Sequence, residues 1–551
     1  MKTWSWLAVT TAIILGPVNA ATAAEMPQTA CKRLSALKLE STQITKAEIA
    51  GPDFTSPSSA MSNSVPVKRT FCRVAGLISP STKFEVWLPL KAEWNGRFQG
   101  VGNGGMAGGI AYFSLRSAVE AGYAAVSSDL GHEGGGVDGS FAIGAPEKVR
   151  DWGYRATHEM TRVGKALTTA FYGTKPRYSY FIGCSGGGRQ SLIEAQRFPD
   201  DYDGILAGDP TIDFSHLTTG GRLWEELSMF RTANGAGYIP AEKIPTIAAA
   251  VVAACDALDG VRDGILEDPR QCQFQPASLK CMQGDRSDCL TPPQVEALEK
   301  IYAGATTTAG KQVYPGYERG GESGPAGWSS YVSGSAALQG GQWAYASGFV
   351  KGMVFENLQY DPMTFNYDVD VPAMDQKSIL GEPFADVING TNPDLRAFQK
   401  RGSKLIAYHG WSDPGVAPRS TVDYYNRVVS ALSDRSRSSP NAERAALAET
   451  QKFFRLFMVP GMQHCTGGPG ANAFGGVGQL PAPADPDHDI RLALERWVEH
   501  GAAPRRIVAT KYVNDMPEQG VERTHPLCPY PQMAHFTGSG RADDAAQFVC
   551  K

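Results

Sequence analysis

The stretch Ile182-Gly183-Cys184-Ser185-Gly186-Gly187 decides the reading of this chain. It has the Gly-x-Ser-x-Gly form of a nucleophile elbow, a strained turn that exposes a serine hydroxyl and tolerates only small neighbours. Residues 178–182 before it are a β-rich run, and 189–197 after it have helical spacing. Strand, sharp turn and helix is the context this motif needs. Gly and Ser are common in loops, so the motif alone leaves an ordinary turn open. The cysteine before the serine is the unusual element. Late in the chain, Gln463-His464-Cys465-Thr466 sets a second cysteine just after a histidine. A bridge between Cys184 and Cys465 would fix the separation of a serine and its base, whereas the bland alternative is a bridge that only staples two loops.

A serine hydroxyl is a weak nucleophile until a base takes its proton. His464 is the candidate base, and Asp413, in Trp411-Ser412-Asp413-Pro414, the candidate acid that orients it. The order Ser, Asp, His is that of α/β-hydrolases, and each partner follows a predicted strand, 404–410 and 453–459. Asp413 also reads as a turn residue before proline, and His464 as a solvated loop histidine. Asp209, in Gly208-Asp209-Pro210, is a rival acid whose early position fits less well. An oxyanion needs two backbone donors. One is assigned to Gly186, and the other to Gly104 or Gly105 in Gly102-Asn103-Gly104-Gly105. That loop lacks the lysine and hydroxyl of a phosphate loop, which argues against nucleotide binding. His132, His158 and His409 read as structural histidines, and His158-Glu159 lacks the second histidine of a zinc motif.

Further strands are expected at 84–90, 98–101 and 123–129, and helices at 148–172 and from 490 to 498, the latter capped by Asp489. Strand-loop-helix alternation on both sides predicts an α/β chain with a mainly parallel sheet covered by helices. Between about 212 and 389 the pattern changes to Gly, Ser, Trp and Tyr with four cysteines. This is too long for one loop of a compact domain. It reads as a lid domain inserted into a catalytic domain formed by 24–211 and 390–551. Among its aromatics, Trp328, Tyr331, Trp343, Tyr345 and Phe349 suit either an aromatic ligand or the lid's own core.

Of 551 residues, 42% are hydrophobic and 20% charged, and the net charge is −4. This composition suits a soluble globular enzyme and gives no electrostatic reason to expect nucleic acid or an anionic membrane as partner. Residues 1–23 read as a signal peptide: Lys2, then an apolar run at 4–15 too short to span a bilayer, then small residues. Export, to the periplasm or the medium, makes a disulfide framework from the ten cysteines natural. Their number does not fix the connectivity. Cys255/Cys272 and Cys281/Cys289 are close enough for local loops, and Cys528/Cys550 and Cys31/Cys72 would staple the two ends, which leaves Cys184 and Cys465. Within the insertion, 255–265 carries Asp256, Asp259 and Asp263 between glycines. Hard oxygen donors at this density suit Ca²⁺, with the carbonyls of Val261 and Ile265 completing the set; two Asp-Gly turns are the alternative. Asn389-Gly390-Thr391 is a glycosylation sequon.

Together these segments resemble the tannase and feruloyl esterase family, which includes mono(2-hydroxyethyl) terephthalate hydrolases. The resemblance rests on Gly183-Cys184-Ser185-Gly186-Gly187-Gly188-Arg189-Gln190, His409-Gly410-Trp411-Ser412-Asp413 and Gly461-Met462-Gln463-His464-Cys465, with weaker likeness at 102–105, 256–265 and 497–504. It implies an α/β-hydrolase domain, a large lid between Ser and Asp, a structural Ca²⁺ site in that lid, and the five disulfide pairs named above. It also implies hydrolysis of small aromatic esters, or of phenolic esters linked to plant polymers, with ferulate or gallate as the acid. The terephthalate half-ester hydrolases read a carboxylate with a lid arginine; 320–395 contains none.

Overall fold

The computed structural model describes residues 1–2, 26–324, 326–433 and 440–551. The expected signal peptide therefore lies almost wholly outside the described residues. The core is a nine-stranded sheet. Its strands are β1 (Thr42–Ala50), β2 (Phe71–Ile78), β3 (Thr82–Pro89), β4 (Arg97–Val101), β5 (Ala124–Ser128), β6 (Tyr178–Cys184), β7 (Gly204–Gly208), β8 (Lys404–Gly410) and β9 (Phe454–Val459). Their order is β1-β2-β3-β5-β4-β6-β7-β8-β9. The first four neighbours pair antiparallel, and from β5 to β9 every pair is parallel. β5, β7 and β8 are buried almost throughout, as parallel strands covered on both faces must be.

Helices cover both faces. Ala156–Tyr172 packs Met160, Val163 and Leu167 on one side. Ile490–His500 packs Ile490, Ala493, Leu494 and Trp497 on the other, and its Asp489 cap accepts from the amides of Arg491 and Leu492. The helix expected at 148–172 is interrupted by a wider π turn at Asp151–Arg155. There the backbone of Gly153 runs against Val387, leaving no room for a Cβ. β1 and β2 form an antiparallel extension that the sequence reading did not anticipate.

Among the described residues, none between β7 and β8 joins the main sheet. This segment contains helices and short hairpins around two apolar clusters, which it shares with residues outside it such as Leu130, Trp152 and Val416. Its two ends meet: the amide of Gly390 donates to the carbonyl of Ile212 at 2.8 Å. Arg189, buried in the helix after the elbow, clasps the same junction by donating to the carbonyls of Trp152, Gly153 and Ile388. The sequon asparagine is not an exposed acceptor, since Asn389 is buried and its side chain bonds to Ser215.

His216 tethers the start of the insertion to its later part. Its ring nitrogens contact Asp213 at 2.9 Å and Asp375 at 3.1 Å. Burial by itself would lower the His216 pKa, but the two carboxylates raise it to about 10. A group whose pKa is raised by folding contributes stability that is fully present below its unfolded value and is lost as pH rises through the folded one. His216→Gln is therefore expected to lower the melting temperature by about 5 °C at pH 6, and the difference should close as pH approaches 10. Parallel thermal melts across that window check it.

All ten cysteines pair, as Cys31–Cys72, Cys184–Cys465, Cys255–Cys272, Cys281–Cys289 and Cys528–Cys550. Among the described residues, no helix is long and apolar enough to cross a membrane.

Candidate active site

The site lies at the carboxyl ends of β4, β6, β7, β8 and β9, where open parallel sheets place their ligands. After β6 the chain turns sharply at Ser185, with φ 62° and ψ −120°, a conformation costly for a residue with a side chain. The glycines around it make the turn possible. A Cβ on Gly183 would stand 2.4 Å from the backbone of Gly187, and one on Gly188 would stand 2.4 Å from the carbonyl of Gly208. The helix Gly186–Arg197 starts directly after the serine, so the first amides, Gly186 included, have no partner within the helix.

The three candidate triad residues converge. Ser185 Oγ lies 2.9 Å from His464 Nε2, and His464 Nδ1 lies 2.7 Å from Asp413 Oδ2. With Nδ1 donating to the carboxylate, Nε2 is free to accept the serine proton. Asp413 is fully enclosed. Its Oδ1 accepts from the amides of Gly415 and Val416 at 2.7 and 3.0 Å, and His409 Nε2 donates to Oδ2 at 3.1 Å. Burial alone would raise the Asp413 carboxyl; the charge of His464 and the hydrogen bonds from His409 and His464 instead hold it well below the usual range. The Cys184–Cys465 bridge joins the neighbours of Ser185 and His464, with their Cα atoms 6.1 Å apart.

The glycine-rich loop after β4 reaches over the elbow. Gln190 accepts the amide of Asn103 at 2.8 Å, and the Asn103 side chain donates to the carbonyls of Gly109 and Ser128. His132, expected to be structural, stays so: it contacts the Met106 carbonyl at 2.8 Å and stacks on Phe141. The amide nitrogen of Gly105 stands 3.1 Å from where a Cβ of Gly186 would be, so these two candidate donors are neighbours. Gly104 is more exposed and sits under Met61. His158, the other histidine expected to be structural, pairs with Asp201 far from the triad at 2.7 Å.

The five lid aromatics divide. Trp328 and Phe349 are core residues of the insertion, and Trp343 packs against that core. Tyr331 and Tyr345 are half-buried at the site. Tyr331 Cε1 is 3.1 Å from the Cβ position of Gly415, beside Asp413 and His464. Tyr345 Cε1 is 2.9 Å from that of Gly105. Three neighbours escaped the sequence reading. Arg222 is buried with its guanidinium 4.2 Å over the Tyr345 ring and its donors on the Gly415 carbonyl. Met61 comes from the N-terminal segment. Gln463 holds the lid by donating to Ser323 at 2.6 Å. Arg222 and Met61 carry no motif, and Gln463 lies in one without its contact being legible there; only the fold brings the three here.

The acidic loop lies apart from the triad. A cavity of about 20 Å³ is bounded by Asp259, Val261, Asp263, Ile265, Glu267, Arg523 and His525. Asp256 closes the loop by accepting the amides of Asp263 and Gly264. Asp259 takes the amides of Val261 and Glu267, and burial raises its pKa to about 6. A void of one-ion size beside Asp259 and Asp263, whose carboxyls burial raises, fits a hard cation.

The family profile described as "Tannase and feruloyl esterase" matches residues 65–551. An uncharacterized esterase of Xanthomonas campestris is 44% identical over 533 residues, covering 95% of this chain and 91% of its own. The mono(2-hydroxyethyl) terephthalate hydrolase of Piscinibacter sakaiensis is 32% identical, covering 92% and 88%. The crystal structure of feruloyl esterase B from Aspergillus oryzae superposes with a TM-score of 0.83 at 29% identity, over 96% of this chain and all of that one. A mainly parallel sheet with a serine turn after β6, and matches of this extent, make the protein a carboxylic ester hydrolase with an α/β-hydrolase fold, and the chain belongs to the tannase and feruloyl esterase family.

Proposed function

We propose that this protein hydrolyses aromatic carboxylic esters of the feruloyl or related phenolic type through an acyl-enzyme on Ser185. The observation that carries the reading is the unbroken path Ser185 Oγ–His464 Nε2 and His464 Nδ1–Asp413 beneath two lid tyrosines. Ser185 Oγ attacks the ester carbonyl while His464 Nε2 takes its proton. Asp413 stabilises the resulting imidazolium. The amides of Gly186 and Gly105 receive the oxyanion, with Gly104 the adjacent donor. His464 then gives its proton to the departing alcohol. A water, deprotonated by the same nitrogen, attacks the acyl-serine and releases the aromatic acid. Tyr331 and Tyr345 offer ring surface to an aromatic acyl group. The five disulfides support the expectation that the chain works outside the cytoplasm.

The test is a panel of methyl ferulate, methyl gallate, mono(2-hydroxyethyl) terephthalate and a short aliphatic p-nitrophenyl ester, with Ser185→Ala as control. Preferred turnover of one aromatic ester supports the reading and names the acid. Preference for the aliphatic ester alone would remove the aromatic assignment.

The same proposal includes a structural Ca²⁺ held by Asp256, Asp259 and Asp263 with the carbonyls of Val261 and Ile265. Bound there, it would neutralise the buried carboxylates and close the 255–272 loop against the C-terminal segment that carries Arg523 and His525. Chelation is expected to lower the melting temperature by about 5 °C or more, and added Ca²⁺ to restore it, since a ligand at a thousand times its Kd stabilises by about 4 kcal/mol. Asp259→Asn should melt at the chelated temperature and ignore added Ca²⁺.

A further inference from the structure

β7 ends at Gly208, and the next residue, Asp209, takes φ 36°, unusual for a residue with a side chain. Its carboxyl is wholly buried. Oδ1 accepts the amide of Gly410 at 2.9 Å, and the carboxyl also receives the amide of Cys465. Oδ2 is 3.6 Å from Cys184 Sγ. The Asp209 amide donates to Tyr408. These contacts reach each segment that presents the triad: Cys184 precedes Ser185, Gly410 leads to Asp413, and Cys465 follows His464.

The side chain also meets other ionisable groups. One oxygen each of Asp209 and Asp413 and a ring nitrogen of His409 lie within 4.8 Å of one another. His409 Nε2 is 3.8 Å from Asp209 Oδ1. The ionisable neighbours are thus His409 and Asp413, with Tyr408 below them on β8 and the imidazole of His464 behind Asp413. Two buried carboxyl groups in contact cannot both ionise without a large penalty, so one holds a proton. The donors decide which. Asp413 receives two imidazole N–H groups and two amides, whereas Asp209 receives only amides.

We propose that Asp209 is a positioning residue which, as a neutral acid, clamps together the three segments that carry the triad. Burial and then the charge of Asp413 push its carboxyl well above the usual range, in keeping with that state. Its proton is available to the Asp413 carboxylate, and its oxygens hold the two amides. The role is distinct from that of the triad acid, since Asp209 does not touch His464 and works through its neighbours. It rests on the ester-hydrolase reading of the site.

The full disulfide-bonded chain, as wild type, Asp209→Asn and Asp209→Ala, is assayed with an activated p-nitrophenyl ester over the pH range of the acid limb. Such an ester reports on the triad whatever the natural acyl group is, so a wrong acyl assignment and a wrong role for Asp209 give different results. An amide is neutral, with an oxygen for the two amides and a donor for Asp413. Asp209→Asn is therefore expected to keep kcat within about threefold and the acid-limb midpoint within about 0.3 pH of wild type. Asp209→Ala is expected to lose about 30- to 100-fold in kcat with KM changed less than about threefold. If alanine prevents folding, judged by thermal melting, Asp209→Thr takes its place. An asparagine variant as impaired as alanine, or one whose acid limb falls by about one pH unit, would show that the residue works as an anion and overturn the proposal. Wild-type kcat in the folded alanine or threonine variant would overturn it equally.

Discussion

Ser185→Ala is expected to lower kcat for an aromatic ester by about 10⁵-fold or more while the protein still folds and binds substrate. Without Oγ no acyl-enzyme forms, and what remains is the slower attack of water aided by the oxyanion donors. Asp413→Asn should cost about 10⁴-fold, because the amide presents a donor where His464 Nδ1–H needs an acceptor, and so favours the wrong tautomer. Stopped and long-time assays give both rates, and a serine-reactive phosphonate separates them from misfolding. It should label wild type stoichiometrically and the alanine variant not at all. Stoichiometric labelling of Ser185→Ala elsewhere, with turnover retained, would move the nucleophile to another residue.

The second large effect concerns the bridge between Cys184 and Cys465. His464 sits on an irregular segment that runs from the end of β9 to the helix at Ile490. Cys465 itself has φ 64°. Nothing regular holds that segment at the distance Ser185 requires, and the covalent link spans 281 residues of sequence. Replacing both cysteines by alanine is expected to lower kcat by about 10²-fold, the loss that about 1 Å of misplacement produces in a catalytic pair. KM should change little, since the lid contacts are untouched. In wild type, activity under increasing reductant should fall in step with the thiols released from this pair, followed by mass spectrometry of alkylated peptides. Full activity after both thiols have been alkylated would reduce the bridge to a staple.

The fold and the triad were legible for one reason. Ser185, Asp413 and His464 each follow a hydrophobic run buried along nearly its whole length, and such runs stand out in a linear sequence. β1 and β2 did not stand out, because β1 is half-exposed, carries Thr42, Lys46 and Glu48, and shifts register at a bulge. The π turn at Asp151–Arg155 was invisible because the contact that accompanies it, Val387 against Gly153, joins residues more than two hundred positions apart. The lid aromatics show the same limit: composition placed five candidates together, and only packing separates Tyr331 and Tyr345 from the core residues. Asp209 was noticed as a competing acid, but its contacts with Gly410 and Cys465 belong to the folded molecule. Arg222 has no sequence signal, because it lies more than a hundred residues before Tyr345 and only folding turns it back over that ring.

The hydrogen bond between Gly390 and Ile212 brings the two chain ends of the insertion together, a short distance along the chain from the nucleophile. A segment that leaves and returns at one place can be lengthened, shortened or exchanged without altering the strand register that aligns Ser185, Asp413 and His464. Reaction and recognition are thereby carried by different stretches of the chain: the sheet presents the triad residues, and the segment between 212 and 390 presents Tyr331 and Tyr345. A graft made at 212 and 390 has natural seams at its chain ends, and it must also keep the contacts of Arg222 with Gly415 and of Gln463 with Ser323.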